Sequence, residues 1–190
     1  MPTYEMYALN YAGPLTSSRA LLMGHKDWDT IAERSYFVYV LKNDEYIVVV
    51  DAGMNPEEAA RRQLDSYTDP RELLARIGIK AEEVEHLIIT HLHFDHANGI
   101  NLFPNAKIYL QKEEFRFWLK DPISEFGPFQ LVGDENALSY VAGLGGSDCL
   151  HLVDGDQKIL PGISCLLVPG HEVRLTREYP EVAPKVTRLA

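Results

Sequence analysis

The chain has 190 residues, of which 46% are hydrophobic and 24% charged, a composition typical of a globular protein with one sizeable core. Its 18 Lys and Arg against 28 Asp and Glu give a formal charge of −10, which argues against nucleic acid and anionic membrane surfaces as partners. No signal-like N-terminus and no apolar run approaching about 18 residues is present. The sequence therefore predicts a soluble, cytoplasmic protein.

The first 50 residues carry the patterns of β-strands. Residues 4–11 alternate loosely and predict an edge strand, and the β-branched and aromatic runs 36–41 and 46–50 predict a hairpin with a four-residue connection. The second hairpin strand is apolar at every position, which indicates burial on both faces. It ends in Asp51, and an acidic group at the end of a buried strand needs a partner. That partner is either a metal-bound histidine or the backbone of a turn.

Helix signals follow. Asn55 and Asp69 are N-cap residues, each with a proline at the first helical position, and Gly78 ends the second helix. A long loop is predicted over residues 121–136, a length typical of lids and binding segments. Cys149 and Cys165 lie in apolar runs and are expected to be buried thiols, with a disulfide between them as the alternative. The remaining elements are helices or helical turns at 56–64, 70–77, 81–84, 101–103, 112–119 and 137–144, and strands at 87–89, 107–110, 149–153, 158–160 and 163–168.

Residues 90–99, T-H-L-H-F-D-H-A-N-G, directly follow an apolar strand and hold four potential metal ligands. His91 and His93 alternate, so an extended backbone places both imidazoles on one side. Asp95 and His96 are adjacent and diverge, which suits a second ion a few ångströms away. Imidazoles and carboxylates are donors that zinc and its first-row neighbours accept. The pattern predicts a two-metal loop; the alternative is a histidine-rich loop in which one histidine caps a helix.

The motif H-x-H-x-D-H after a buried strand resembles the signature of the metallo-β-lactamase-like hydrolases, and H-L-H-F-D-H-A-N-G is most similar to their N-acyl homoserine lactonase branch. The similarity extends from near the N-terminus to His171 and includes segments 50–53, 103–106, 114–118 and 160–163. It implies a fold of the α/β (α+β) class, a metallo-β-lactamase-like αβ/βα sandwich of two similar halves. The second half would be incomplete in this chain.

The resemblance also implies a metal centre. His91, His93 and His171 would hold one Zn²⁺ ion, and Asp95 and His96 a second. Iron, manganese or cobalt would accept the same ligands.

Asp95 is the implied catalytic residue, and Asp51 is implied to lie behind the metals against a ligand. The predicted walls for an acyl chain are Leu22, Met23, Trp28, Phe94 and Phe126. In the alternative interpretation the first three pack on the core and Phe126 lies on a plain surface loop.

After His171 the sequence departs from the family pattern, which continues P-G-H-T-x-G and later supplies a bridging Asp and a final His. Residues 172–190 contain neither Asp nor His. We therefore predict a domain over 1–171 and a divergent, poorly ordered tail over 172–190, from truncation or frameshift. The second ion would keep only two protein ligands.

Two functions follow from these patterns. The first is a metal-dependent hydrolase in which metal-bound hydroxide opens a lactone or ester. For this function the family resemblance implies N-acyl homoserine lactone (quorum quenching) as substrate, with a glutathione thioester as the alternative. The second is a weakly active or inactive relative with a partial metal site, acting as a homodimer or a binding module through an uncovered sheet face.

Overall fold

A mixed six-stranded sheet organises the part of the chain that the computed structural model describes, residues 2–18 and 31–168. Its strands lie side by side in chain order. The first two pairs of neighbouring strands are antiparallel, and the remaining three pairs are parallel. A separate two-stranded hairpin follows. The strands are β1 (Glu5–Ser18), β2 (Ile31–Lys42), β3 (Ile47–Val50), β4 (His86–Ile89), β5 (Lys107–Gln111), β6 (Leu150–Val153), β7 (Gln157–Leu160) and β8 (Ile163–Cys165).

Helices make the crossovers that parallel strands require. The α-helices are α1 (Pro56–Arg61), α2 (Pro70–Arg76), α3 (Phe94–Ala97), α4 (Lys112–Lys120), α5 (Gly127–Gln130) and α6 (Glu135–Gly143). Single 3₁₀ turns occupy Ala81–Glu83, Asn98–Leu102 and Pro122–Glu125. The predicted caps are confirmed: Asn55 accepts from the Glu58 N–H, and Asp69 accepts from the Arg71 N–H. Among the described residues, no helix is both long and apolar enough to cross a bilayer.

The main core lies between the helices and one face of the sheet. In β4, Leu87 and Ile89 are buried in this core, whereas His86 and Ile88 are half-buried on the other face, as the two-residue period of a strand requires. Helices α2, α4 and α6 supply the opposing apolar side chains, including Leu74, Trp118 and Val141. A smaller cluster joins β1, β2, α2, α3 and the segment before α1: Tyr11, Ala12, Val38, Met54, Leu73 and Phe94.

The predicted hairpin is confirmed, because β2 pairs antiparallel with β3 and Lys42 faces Ile47 across the turn. The turn is closed by the Asn43 side chain, which accepts from the N–H groups of Glu45 and Tyr46. The β1–β2 pair is longer than predicted, since its backbone ladder continues through polar residues to Ser18 and Ile31. A hydrogen-bond ladder depends on the backbone rather than on the side chains.

Three expectations are wrong. The segment 121–136 is not a structureless loop, because Asp121 caps the turn Pro122–Glu125 and α5 follows it. The last strand ends at Cys165 rather than at residue 168, since the Leu167 N–H donates to the Asp156 side chain instead of to a neighbouring strand. Both cysteines are free thiols, but Cys149 is exposed rather than buried.

Candidate metal centre

The histidine-rich loop begins where β4 ends, at the edge of the sheet where the parallel strands have their carboxyl ends. Asp51 follows β3 and Thr90 follows β4, so the two residues meet across neighbouring strands. Ligands of open α/β sheets bind at this edge, because loops and helix N-termini converge there. After Thr90 the chain passes through His91 and His93 into the four-residue helix α3, which carries Asp95 and His96.

Asp51 is the buried anchor of the loop and is 4% exposed. Its backbone has a φ of +62°, a left-handed conformation that Asp and Asn tolerate better than most residues. One carboxylate oxygen accepts from the Thr90 N–H and hydroxyl, both at 2.8 Å. The other lies 2.7 Å from Nδ1 of His96. Because Asp51 engages Nδ1, the ring is oriented with Nε2 toward the Asp95 carboxylate.

Three imidazoles converge beside this anchor. The ring centroid of His91 lies 4.5 Å from that of His93 and 4.0 Å from that of His96. Nδ1 of His91 lies 2.9 Å from the Thr90 hydroxyl, and Nε2 of His96 lies 3.4 Å from a carboxylate oxygen of Asp95. The three histidines and Asp95 are half-buried, so their potential metal-binding atoms are partly shielded from water.

The charges at this point favour a cation. Burial acts to lower the pKa of His96, but the contacts with Asp51 and Asp95 outweigh it and raise that pKa to about 10. Burial acts to raise the pKa of Asp95, and the contact with His96 outweighs it, so this pKa lies below its usual value. Two carboxylates therefore stabilise positive charge on and around one imidazole.

Glu114 of α4 supports the loop from the other side. One of its carboxylate oxygens accepts from the Leu92 N–H at 2.7 Å and from the Trp118 indole N–H at 2.8 Å. The Trp118 ring meets the His93 ring edge-on at 5.9 Å. Gly133 pairs with His93 in an isolated antiparallel β-bridge. A Cβ at residue 133 would lie 2.6 Å from the Trp118 indole, so only glycine fits there. The indole, the glycine and the histidine backbone are thus packed directly together.

A buried amide network fixes the far end of the loop. The Asn98 side chain accepts from the Asn55 N–H at 2.8 Å and donates to Asp134 at 3.0 Å. Asp134 in turn caps α6 by accepting from the Ala137 N–H. The next residue, Gly99, has no room for a side chain, since a Cβ there would lie 2.5 Å from the Ala52 carbonyl oxygen. The loops after β3 and β4 are held together by these contacts.

The structure brings Asp51, His91, His93, Asp95 and His96 to one place. Phe94 turns away from them into the smaller core cluster, where it is 9% exposed and the Arg62 guanidinium lies 3.2 Å from its ring centroid. Phe126 is 68% exposed just before α5. The other predicted residues lie outside the described residues: Leu22, Met23, Trp28 and His171.

Sequence reasoning missed several residues that hold the site together. Glu114, Asn98 and Asp134 hold the loop by side-chain contacts, and Tyr11 of β1 donates its hydroxyl to the Asp95 carbonyl at 2.6 Å. Asp134 carried a capping signal, because an Asp directly before a helical pattern is an N-cap candidate. Asn98 and Glu114 lie in segments that resemble the family, but their local sequence gave no sign of the contacts they make. The others act across the fold, where no spacing rule applies.

The donor chemistry of the loop fits a divalent first-row metal. The rings of three imidazoles lie close together, and the Nδ1 of one imidazole is held by a carboxylate, as is usual behind a metal-bound histidine. Within residues 2–18 and 31–168, however, no three His, Cys, Asp or Glu side chains are close enough to hold an ion by themselves. The described part of the chain therefore presents a partial ligand set.

Comparisons with known proteins agree with this picture. The family model described as the metallo-beta-lactamase superfamily matches residues 32–160, more than half of the chain. An N-acyl homoserine lactonase of Bacillus cereus is 29% identical over 154 residues, covering 70% of this chain and 53% of the relative. A probable metallo-hydrolase, YqjP, of Bacillus subtilis (strain 168) is 36% identical over 93 residues, covering 44% of this chain and 27% of the relative.

Solved structures show the same fold. A quorum-quenching N-acyl homoserine lactone lactonase aligns with a TM-score of 0.69 at 23% identity, covering 90% of this chain and 65% of that one. An N-acyl homoserine lactone hydrolase, solved with N-hexanoyl-L-homoserine at its catalytic metal center, aligns with a TM-score of 0.69 at 20% identity, covering 90% and 68%. The chain spans about half the length of the first curated relatives that it matches.

Proposed function

Since the chain belongs to the metallo-beta-lactamase superfamily, we propose that it is a metal-dependent hydrolase that opens the lactone ring of N-acyl homoserine lactones. The relatives that carry the lactonase name support this substrate class, and six of them cover 70% of this chain. A soluble cytoplasmic enzyme, with homodimerisation as an open prediction, is consistent with the proposal.

One observation carries the proposal. At the carboxyl end of β4, three imidazoles converge, and a buried carboxylate fixes the Nδ1 of one of them while a second carboxylate faces its Nε2. A histidine that only capped a helix would need one backbone partner, not two carboxylates. In the proposed site, Asp51 would set the orientation of the His96 ring and Asp95 would contact the reacting molecule.

The residues that would hold the metal are those that the resemblance to the family implies, and four of them lie together after β4. His91 and His93 would bind one ion together with His171, and Asp95 and His96 would bind a second, with Zn²⁺ as the expected metal. A divalent ion bound there would polarise the lactone carbonyl and lower the pKa of a water molecule.

A side chain of the protein would then transfer the proton from the attacking water to the leaving alkoxide. Water attacks the carbonyl carbon, the bond between that carbon and the ring oxygen breaks, and the leaving alkoxide needs a proton. The Asp95 carboxylate lies 3.4 Å from Nε2 of His96 and accepts a hydrogen bond from its own backbone, so it has a fixed position from which it would take a proton from water and return it to the alkoxide. The product is the N-acyl homoserine carboxylate, with water added across the broken bond.

The test is metal-dependent opening of N-hexanoyl homoserine lactone by the purified chain, followed by proton release in weakly buffered solution. Activity should vanish after treatment with a chelator, return with added Zn²⁺, and fall by at least 100-fold in His91→Asn. The matched control is His151→Asn in β6, whose ring packs against Tyr109 away from the loop. Lactone opening at an unchanged rate in the presence of the chelator would refute the proposal. Cleavage of a glutathione thioester faster than that of N-hexanoyl homoserine lactone would reassign the substrate.

A further inference from the structure

Tyr11 is the largest fully buried side chain described, and the residues proposed to bind metal and substrate do not include it. It lies in β1 and is 1% exposed, with its ring stacked on that of Tyr36 at 5.8 Å and meeting that of Tyr67 edge-on at 6.4 Å. Burial, reinforced by the charge of Asp95, raises its pKa far above the usual value. The hydroxyl is therefore protonated at any working pH and acts as a hydrogen-bond donor.

That hydroxyl donates to the backbone carbonyl of Asp95 at 2.6 Å, a contact between residues 84 positions apart. In a continuing α-helix this carbonyl would accept from the N–H four residues later, that of Gly99. The Gly99 N–H instead donates to the Gly53 carbonyl at 2.8 Å, because α3 ends at Ala97 and gives way to a 3₁₀ turn. Tyr11 takes the place of the missing helical donor.

The position of this bond matters because α3 has only four residues and carries two of the proposed metal ligands. The Asp95 peptide is fixed by Tyr11, and the His96 carbonyl accepts from the Ala52 N–H at 2.7 Å. Each ligand residue thus has its backbone tied to a different part of the fold. Without the tyrosine hydroxyl, the Asp95 carbonyl would lose its buried donor and the peptide could rotate.

We propose that Tyr11 is a positioning residue of the metal centre, which fixes the backbone of Asp95 so that its carboxylate and the His96 imidazole meet the ion in one geometry. This inference rests on the proposed function, since it concerns the same metal. It adds a determinant in the first strand, outside the histidine-rich loop, and it predicts a defect in metal affinity rather than in folding.

The chain offers a closely matched pair of variants. Tyr11→Phe removes the hydroxyl that bonds to Asp95, and Tyr67→Phe removes a hydroxyl from the same aromatic cluster that donates to the Met54 carbonyl at 2.9 Å. Both variants keep their rings and lose one bond to a backbone carbonyl. Only the first bond ends on a proposed metal ligand.

The measurement is the Kd for Zn²⁺, by competition with a chromophoric chelator, together with the visible absorption spectrum of the Co²⁺-substituted protein and thermal unfolding of the metal-free protein. Tyr11→Phe should weaken Zn²⁺ binding by about tenfold or more and change the Co²⁺ spectrum, because residues behind metal ligands typically contribute 10–100-fold. Tyr67→Phe should change the Kd by less than about twofold. Replacing Tyr11 with 4-aminophenylalanine, which restores a donor at the same position, should recover most of the affinity.

Each result decides the inference. Wild-type Zn²⁺ affinity in Tyr11→Phe, or an equal loss in Tyr67→Phe, would overturn it while leaving the proposed function intact. Failure of the wild-type chain to bind Zn²⁺ would overturn the proposed function and this inference together. If Tyr11→Phe does not fold, the 4-aminophenylalanine variant must fold and bind Zn²⁺ within about threefold of wild type, and any larger loss in that variant would also overturn the inference.

Discussion

Replacing Asp51 with Asn tests the anchor of the metal loop with little change in shape. Asn tolerates the left-handed backbone that Asp51 adopts, so the substitution should not disturb the turn. The amide oxygen can still accept from the Thr90 N–H and hydroxyl. The amide NH₂ would then face Nδ1 of His96, where a carboxylate oxygen now lies at 2.7 Å.

The expected effect follows from that one lost contact. A hydrogen bond to a charged group contributes about 1.5–3 kcal/mol. At about 1.4 kcal/mol per tenfold change, the loss corresponds to a roughly 10–100-fold weaker Kd for Zn²⁺, which agrees with the usual effect of residues behind metal ligands. A competition titration against a chromophoric chelator at neutral pH measures it directly.

Asp69→Asn is the control, because it makes the same chemical change at the N-cap of α2, away from the metal loop. Because Asn caps helices about as well as Asp, it should lower stability by less than about 1 kcal/mol, through the lost ion pair with Arg71, and leave the Kd for Zn²⁺ unchanged. The reasoning fails if Asp51→Asn binds Zn²⁺ within twofold of wild type, or if Asp69→Asn weakens binding to the same degree.

Three further variants test the surrounding fold. Gly99→Ala should lower the free energy of unfolding by about 1–3 kcal/mol, because its Cβ would press on the Ala52 carbonyl, whereas Gly143→Ala has open space and should not destabilise; equal denaturation midpoints would contradict this. Leu87→Ala in the centre of the main core should cost about 2–5 kcal/mol in urea unfolding, and a loss below 1 kcal/mol would argue against that burial. Burial acts to raise the pKa of Glu58, but its two arginine partners outweigh it and lower that pKa, so the ionised group stabilises the fold above about pH 4. Glu58→Gln should therefore cost about 1 kcal/mol at pH 7, and its difference from wild type should shrink as the pH falls below 4; a difference independent of pH would refute the ion pairs.

Local signals in the sequence predict much of this fold. The caps at Asn55 and Asp69 and the Asn43 turn are each set by a side chain that bonds to backbone within three residues. The same cap-and-proline signal is present at Asp121 and marks the turn that was predicted as loop. The spacing of His91 and His93 just after β4 also predicts that they lie together, and their ring centroids are 4.5 Å apart.

Contacts that join distant segments are not visible in this way. The hydroxyl of Tyr11 reaches Asp95, and Glu114 reaches Leu92, only because the sheet and its crossover helices bring them together. Nor does composition distinguish a pocket wall from a core residue. Phe94 sits between two ligand-type residues and looks like a substrate contact, yet its ring is packed under Arg62 in the smaller core cluster.

The central claim is that the imidazoles after β4 bind a metal ion, and elemental analysis of the purified chain tests it most directly. We expect at least one equivalent of zinc or another first-row metal per chain, removable by a chelator and restored by added Zn²⁺. In the double variant His91→Ala, His93→Ala the bound metal should fall to background. A wild-type chain that never holds a stoichiometric metal, or a double variant that holds as much as wild type, would contradict the account.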